Sequence, residues 1–240
     1  MTPIYFYVLI GSVIVPMLFS IFAMDFVKAW KSFGLSTVII ASVFLIWDYF
    51  FTTAGIWGFN HEYCLGVYIL KMPLEEWLFF LIIPFCSLFT HFAFFYALPK
   101  LKINPKLTMG ITFALIVLSA VLIATNISRA YTAVNFSFLL VTLILGLIYK
   151  KELLQRFYIS FLIVLIPFFI VNGILTGAIT SSPIVWYDNL ENLGIRLYTI
   201  PVEDIGYAFS MLFGNLMIFD ALKQYRVVSK KRRQNVSVSQ

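Results

Sequence analysis

The sequence predicts an all-α integral membrane protein of about seven transmembrane helices, built as two parallel three-helix repeats joined by a linker helix. Three observations carry that expectation. Hydrophobic residues make up 61% of the 240 and charged residues 12%, with a mean hydropathy of +0.94. A soluble domain runs at roughly 45–50% apolar and 25% charged, so this surplus of apolar surface has lipid as its solvent. Seven runs are apolar and long enough to cross a bilayer, and a stretch of the first half returns in the second.

A spanning helix needs about 20 mostly apolar residues. Such runs fall at 3–24, 34–53, 73–98, 107–125, 134–149, 157–177 and 201–222, the fifth being short. The first run lacks a basic leader and a small-residue cleavage site after it, and is expected to be a retained helix. Between the runs the chain is short except for two polar-aromatic loops, 54–72 and 178–200.

Lysine and arginine fix the expected orientation. Lys28, Lys31, Lys100, Lys102, Lys106, Lys150, Lys151, Arg156 and the tail residues Lys223, Arg226, Lys230, Lys231, Arg232 and Arg233 fall on one side, fourteen in all. Only Lys71, Arg129 and Arg196 fall on the other. The positive-inside bias predicts an outer N-terminus and a cytoplasmic C-terminus in the cell's inner, plasma membrane. The net charge of +6 is thereby absorbed as cytoplasmic anchoring. No aromatic residue follows Tyr225 in the basic tail, which disfavours nucleic acid as a partner.

The repeat is read without a gap. Leu65, Gly66, Pro73, Glu75 and Glu76 correspond to Leu193, Gly194, Pro201, Glu203 and Asp204, 128 residues later. Upstream of each block a helix ends in small and polar residues, at 48–55 and at 172–177. Both acidic pairs are expected on the outer side, at the start of a helix running inward. An odd number of helices between the units makes them parallel, related by an axis along the membrane normal. The expected divisions are a first repeat at 1–98, a linker at 99–130, a second repeat at 131–222 and a basic tail at 223–240.

Proline and acids in the first turn of a helix are also what the helix dipole favours, and that alone would account for one pair. Two copies of a paired carboxyl at membrane depth point instead to function. Glu75, Glu76, Glu203 and Asp204 are the candidate catalytic residues, suited to general acid and general base work. Aromatic residues, 18% overall, crowd both pairs: Trp47, Tyr49, Trp57, Trp77, Phe79 and Phe80 near the first, Trp186, Tyr187, Tyr198, Tyr207 and Phe209 near the second. Interfacial belts explain single aromatics. Together they suit a pocket for a flat polyene and a cation stabilised by ring faces. Asp48 lies inside the second helix with Asn172 at the comparable place in the sixth. Arg196 stands near the second acidic pair and Asp220 near Lys223, where a surface ion pair is expected. Trp47, Asp48, Trp57, Trp77, Asn172, Arg196 and Tyr207 are the candidate substrate-binding residues.

Absences narrow the chemistry. His61 and His91 are isolated, and Cys64 and Cys86 form neither a zinc cluster nor an indicated disulfide. A glycine-rich dinucleotide fingerprint is missing. So are an aspartate-rich diphosphate motif and a mid-helix lysine in the seventh run that could hold retinal. No metal or cofactor is expected.

Trp47-Asp48, the run from Gly55 to Phe59, and Pro73-Leu74-Glu75-Glu76-Trp77-Leu78-Phe79-Phe80 resemble the first half of the lycopene cyclase domain family. Asn172-Gly173, Leu175-Thr176-Gly177, Gly194-Ile195-Arg196, the run from Ile200 to Asp204, and Tyr207 resemble its second half. The resemblance implies a fused form of the flavin-free cyclases. It implies acid-catalysed closure of a carotenoid end group, lycopene to a γ- or β-carotene product, without redox change. It also implies a lipophilic polyene and membrane lipid as partners, alongside other carotenoid enzymes. Glu75, Glu76, Glu203 and Asp204 would be the acid and base candidates. The second half lacks the Trp-Asp pair, so the halves are expected to contribute unequally. A carotenoid end-group hydratase and a non-enzymatic carotenoid or lipid carrier are the alternatives.

Overall fold

The computed structural model describes residues 2–22 and 30–238, with side chains described for 2–21 and 30–225. Lys28, the last two residues of the first expected span, and the side chains of Arg226, Lys230, Lys231, Arg232 and Arg233 lie outside the described residues. Seven helices long and apolar enough to cross a membrane make up the body: α1 (Ile4–Phe22), α2 (Trp30–Ala54), α3 (Leu74–Ala97), α4 (Pro105–Thr125), α5 (Ala130–Tyr149), α6 (Lys151–Leu175) and α7 (Glu203–Val238). The chain is a multi-pass membrane protein.

Helix ends depart from the apolar runs where polar groups extend them. Helix α4 begins at Pro105 because the Asn104 side chain accepts from Lys106 N and proline suits the first helical position. Helix α5 begins a turn earlier than its apolar run. The Glu191 side chain accepts from Ala130 N, and Glu191 O accepts from Tyr131 N. Those are the N–H groups a helix start leaves unpaired. Helix α6 gains the polar turn from Lys151 to Arg156. Helix α7 continues to Val238 rather than ending near 222. Asp220 pairs with Lys150 at 2.7 Å, not with Lys223 as the sequence suggested.

Two loops carry the repeat into three dimensions. In the first, β2 (Tyr68–Ile69) and β3 (Met72–Pro73) form a two-residue hairpin, with Leu70 and Lys71 both at positive φ. In the second, β5 (Arg196–Leu197) and β6 (Ile200–Pro201) pair in the equivalent register, with Tyr198 at positive φ. Gly66 and Gly194 sit at φ +84 and +70, a conformation that disfavours a side chain. This explains why glycine occupies both positions.

A third ladder joins the halves. Strands β1 (Trp57–Phe59) and β4 (Val185–Tyr187) pair antiparallel with Gly58 opposite Trp186. Gly58 and Trp186 are themselves equivalents in the 128-residue repeat, so exchanging the halves maps the ladder onto itself. The pseudo-two-fold axis therefore passes between these two residues. A Cβ on Gly58 would lie 2.4 Å from the Trp186 ring, so only glycine permits the contact.

Below this ladder α1 packs on α3 and α5 on α7, while the middle helices cross over: α2 against α7, α6 against α3. Helix α4 lies outside, against α5. Apolar residues such as Ile14, Val15 and Leu18 on α1, Phe113, Val117 and Val121 on α4, and Leu162 and Ile166 on α6 face outward, as lipid requires. Buried hydroxyls such as Ser36, Thr112, Ser160 and Ser210 bond to carbonyls of their own helix three or four residues back.

Candidate active site

Neighbouring residues on a helix point about 100° apart, and this separates each acidic pair into two environments. Glu75 turns back under the preceding loop, where its Oε1 accepts from Leu65 N at 2.5 Å. Glu203 does the same in the second half, accepting from Leu193 N at 2.7 Å and from Thr132 Oγ1 at 2.8 Å. Both are fully buried and neither lines the cavity that Glu76 and Asp204 reach. Glu76 and Asp204, one position on, turn into the bundle and line a single cavity of about 520 Å³.

That cavity lies between α1, α3, α6 and α7 and takes one residue each from α2 and α5, Asp48 and Tyr131. Its carboxyls stand at the end beneath the β1–β4 ladder. Along α3 it reaches from Glu76 to Thr90, fourteen residues, or about 21 Å of helix. The walls below the acids are largely apolar, with Ile83, Pro167, Phe168, Met211 and Leu212 among them; Ser12, Cys86, Ser87 and Thr90 are the exceptions at depth. An elongated apolar cleft with polar groups gathered at one end fits a long hydrocarbon whose end group is the reacting part.

Three carboxyls meet at that end. Glu76 Oε2 accepts from Tyr5 Oη at 2.5 Å. Asp48 Oδ1 accepts from Trp57 Nε1 at 2.5 Å and Thr52 Oγ1 at 3.2 Å. Asp48 and Glu76 line the same end of the cavity, close enough for their charges to interact. Asp204 is held differently: Tyr131 Oη donates to Oδ1 at 2.5 Å and Tyr187 Oη to Oδ2 at 3.1 Å. Burial first, then the adjacent Asp204 carboxyl, pushes the Tyr187 phenol well above its usual range, so it stays a donor.

Aromatic rings fill the space between the two acid groups. Tyr131 and Tyr187 stack at 5.6 Å, and Trp57 sets its edge against Tyr131 at 5.2 Å and Tyr187 at 6.1 Å. Tyr207 lines the cavity and packs on Trp47 at 4.9 Å.

Of the residues singled out from sequence, Glu76, Asp204, Asp48, Trp57, Asn172 and Tyr207 come together around the cavity. Trp47 stands behind it, stacked on Phe138 at 4.8 Å. Trp77 turns to the first hairpin and donates to Ile69 O at 3.2 Å. Arg196 binds Thr199 O and Asn189 Oδ1, and its guanidinium lies 5.8 Å from the Tyr187 ring centre. No ion pair joins it to Glu203 or Asp204 among the described residues. Asn172 Nδ2 donates to Phe168 O at 3.2 Å.

Tyr5, Tyr131 and Tyr187 carry the carboxyls; Tyr5 and Tyr131 were not singled out from sequence, and Tyr187 was named only among the aromatic residues near the second pair. Extending the repeat upstream would have pointed to two of them. Tyr5 and Val8 in α1 match Tyr131 and Val134 in α5 with one spacing, and each tyrosine bonds the cavity-facing acid of its own half.

The sequence model of the lycopene cyclase family matches residues 2–95 and again 128–222. The chain belongs to the lycopene cyclase family. The double match spans α1–α3 and α5–α7 and leaves out α4, so each half is one copy of the family unit. Searches of curated proteins and of solved structures give no match. Family membership makes the chain an isomerase-type carotenoid cyclase acting on a lipophilic carotenoid. Among the described residues no His, Cys, Asp or Glu group suited to a metal ion occurs.

Proposed function

We propose that this protein closes the end groups of lycopene to give γ- and then β-carotene, using Glu76, Asp204 and Asp48 as its acid and base groups. The observation that carries this reading is the convergence of carboxyls from both repeats on one end of an apolar cavity. Protonation of the terminal double bond makes a tertiary cation, which the neighbouring alkene captures to form the ring. Loss of a proton from a carbon next to the new cation completes an isomerisation. No oxidant, reductant or second substrate enters the balance. Ring faces and phenol oxygens of Trp57, Tyr131, Tyr187 and Tyr207 line the space where positive charge develops.

Glu75 and Glu203 are assigned to holding the two hairpin loops, because their carboxyls are spent on Leu65 N and Leu193 N. Trp47, Trp77 and Arg196 shape the surround rather than touch the substrate. Asn172 and Tyr207 contact the polyene. The apolar lining favours capture of the cation by the alkene over capture by water, which separates a cyclase from a hydratase. The plasma membrane, with the N-terminus and the acids on the outer side, follows from the lysine and arginine bias.

Expression in a bacterial host that accumulates lycopene tests this directly. Cyclised carotenes of unchanged mass are the expected products, lost in Glu76→Gln. A product heavier by one water would replace the reading with a hydratase. Lycopene bound but unchanged would replace it with a carrier.

A further inference from the structure

Three carboxyls serve a reaction that needs one proton given and one taken, and their surroundings differ. Asp48 is 1% exposed and Glu76 8%. Asp48 Oδ1 already has two donors, while its Oδ2 is buried with no protein donor among the described residues. The Glu76 carboxyl lines the same end of the cavity and interacts with its charge. Two buried carboxyls at one end of a cavity resist double ionisation, so one of them keeps its proton. Asp204 has no such need. Two phenols already converge on it, one on each oxygen, and a phenol gives a carboxylate a donor without protonating it.

Resting on the cyclase reading above, the geometry points to the Asp48–Glu76 pair as the proton donor and to Asp204 as the acceptor that selects the ring isomer. The shared proton leaves the pair as the alkene π electrons form a new C–H bond, and the positive charge moves to the tertiary carbon. The second alkene then forms the ring C–C bond and moves the charge to a ring carbon. Asp204 takes a proton from one neighbouring carbon, and that C–H electron pair becomes the ring double bond. Water exchange at the outer end restores the proton to the pair and removes it from Asp204.

Several carbons adjoin the ring cation, and each would give a different ring isomer on losing its proton. A base held by Tyr131 and Tyr187 in one orientation takes only one of them. Losing the donor should therefore abolish consumption of lycopene, whereas losing the acceptor should slow it less and scatter the products.

Membranes containing the parent, Asp48→Asn, Glu76→Gln or Asp204→Asn protein are incubated with lycopene in deuterated buffer. The parent is expected to yield one ring type with one deuterium per ring closed. Asp48→Asn and Glu76→Gln should lose consumption by about 100- to 10,000-fold, the usual range for an acid or base group. Asp204→Asn should consume lycopene more slowly than the parent but at least about tenfold faster than either donor variant. Its deuterated products should be spread over ring isomers and water adducts. Loss of consumption in Asp204→Asn protein that is present in the membrane and melts like the parent overturns the assignment. So does scattered, deuterated product from either donor variant. If Asp204→Asn fails to fold, the double variant Tyr131→Phe/Tyr187→Phe leaves the carboxyl in place without its donors. Product scatter with consumption above that of the donor variants supports the assignment there, and silence overturns it. A parent protein that leaves lycopene unlabelled and unchanged removes the cyclase reading itself, and this inference with it.

Discussion

The two halves of the molecule use one plan and reach opposite results along their flanks. Pseudo-symmetry demands two crevices, one between α1 and α6 and one between α2 and α5. With Tyr5 matched to Tyr131 and Asp48 to Asn172, Ser12 on α1 corresponds to Phe138 on α5. On the middle helices Phe168 and Val171 correspond to Phe44 and Trp47. The first crevice, with Ser12, is the cavity. The second is filled: Phe138 stacks on Trp47 at 4.8 Å and lies 5.5 Å from Phe44. Among the described residues the duplicated fold thus keeps one of the two crevices open, because Phe138 and Trp47 stand where the other flank has Ser12 and Val171. In the proposed reaction all three carboxyls therefore serve a single end group at a time. The second ring of a bicyclic product then requires the polyene to turn end for end.

The sharpest way to break this comparison is to make the open crevice like the filled one. Ser12→Phe, copying Phe138, is expected to reduce ring formation more than 100-fold, on the order of losing an acid–base group. The protein should still accumulate in the membrane, which immunodetection beside carotenoid chromatography checks. In the reverse direction, Trp47→Ala opens the filled flank and should destabilise the protein by about 3 kcal/mol, the lower part of the range for emptying an aromatic site. Thermal unfolding in detergent measures it.

Carboxyl placement offers a second comparison. Asn172→Asp gives the second half the acid that the first half has in Asp48. It should not rescue Asp48→Asn, because no Glu76-like partner awaits it: Asp204 is already held by two phenols. Product analysis of the double variant decides. The loop acids come next. Glu203→Gln should cost more stability than Glu75→Gln, each within about 1–3 kcal/mol, since Glu203 holds two donors and Glu75 one. Thermal melts of the two variants rank them.

The smallest effect concerns Cys64, whose equivalent in the second half is Asn192. Burial, with the nearby Glu75 charge, pushes its thiol to about 12, so it should resist maleimide at neutral pH. Glu75→Gln should raise its labelling severalfold by loosening the backbone at Leu65. Mass spectrometry of the intact protein reads this out.

Much was legible in the sequence because lipid constrains composition so strongly. Seven apolar runs, the 128-residue repeat and the Pro-x-acid-acid frames are linear patterns, and they map onto seven helices, two equivalent hairpins and two equivalent acid positions. The helix starts at Ala130 and Lys151 were less legible, since Glu191 reaches across from a distant loop and polar turns carry no apolar signal. Sequence could name Glu75 and Glu76 together but not divide them. The division depends on the helix phase relative to the bundle, and that phase is set by Tyr5, Leu65 and the packing of α1 on α3.

The sequence alone determined that the protein spans the membrane, that it is doubled, and that paired acids stand at equivalent helix starts. Those facts are written in composition and spacing. Only the tertiary structure decided that Asp48 meets Glu76 while Asp204 meets two tyrosines, and that one crevice is open while its counterpart is filled. Those outcomes depend on side chains 28 and 91 residues apart in the chain, Asp48 from Glu76 and Trp47 from Phe138, being brought together by the packing of α2 with α3 and α5. No local pattern encodes such a meeting.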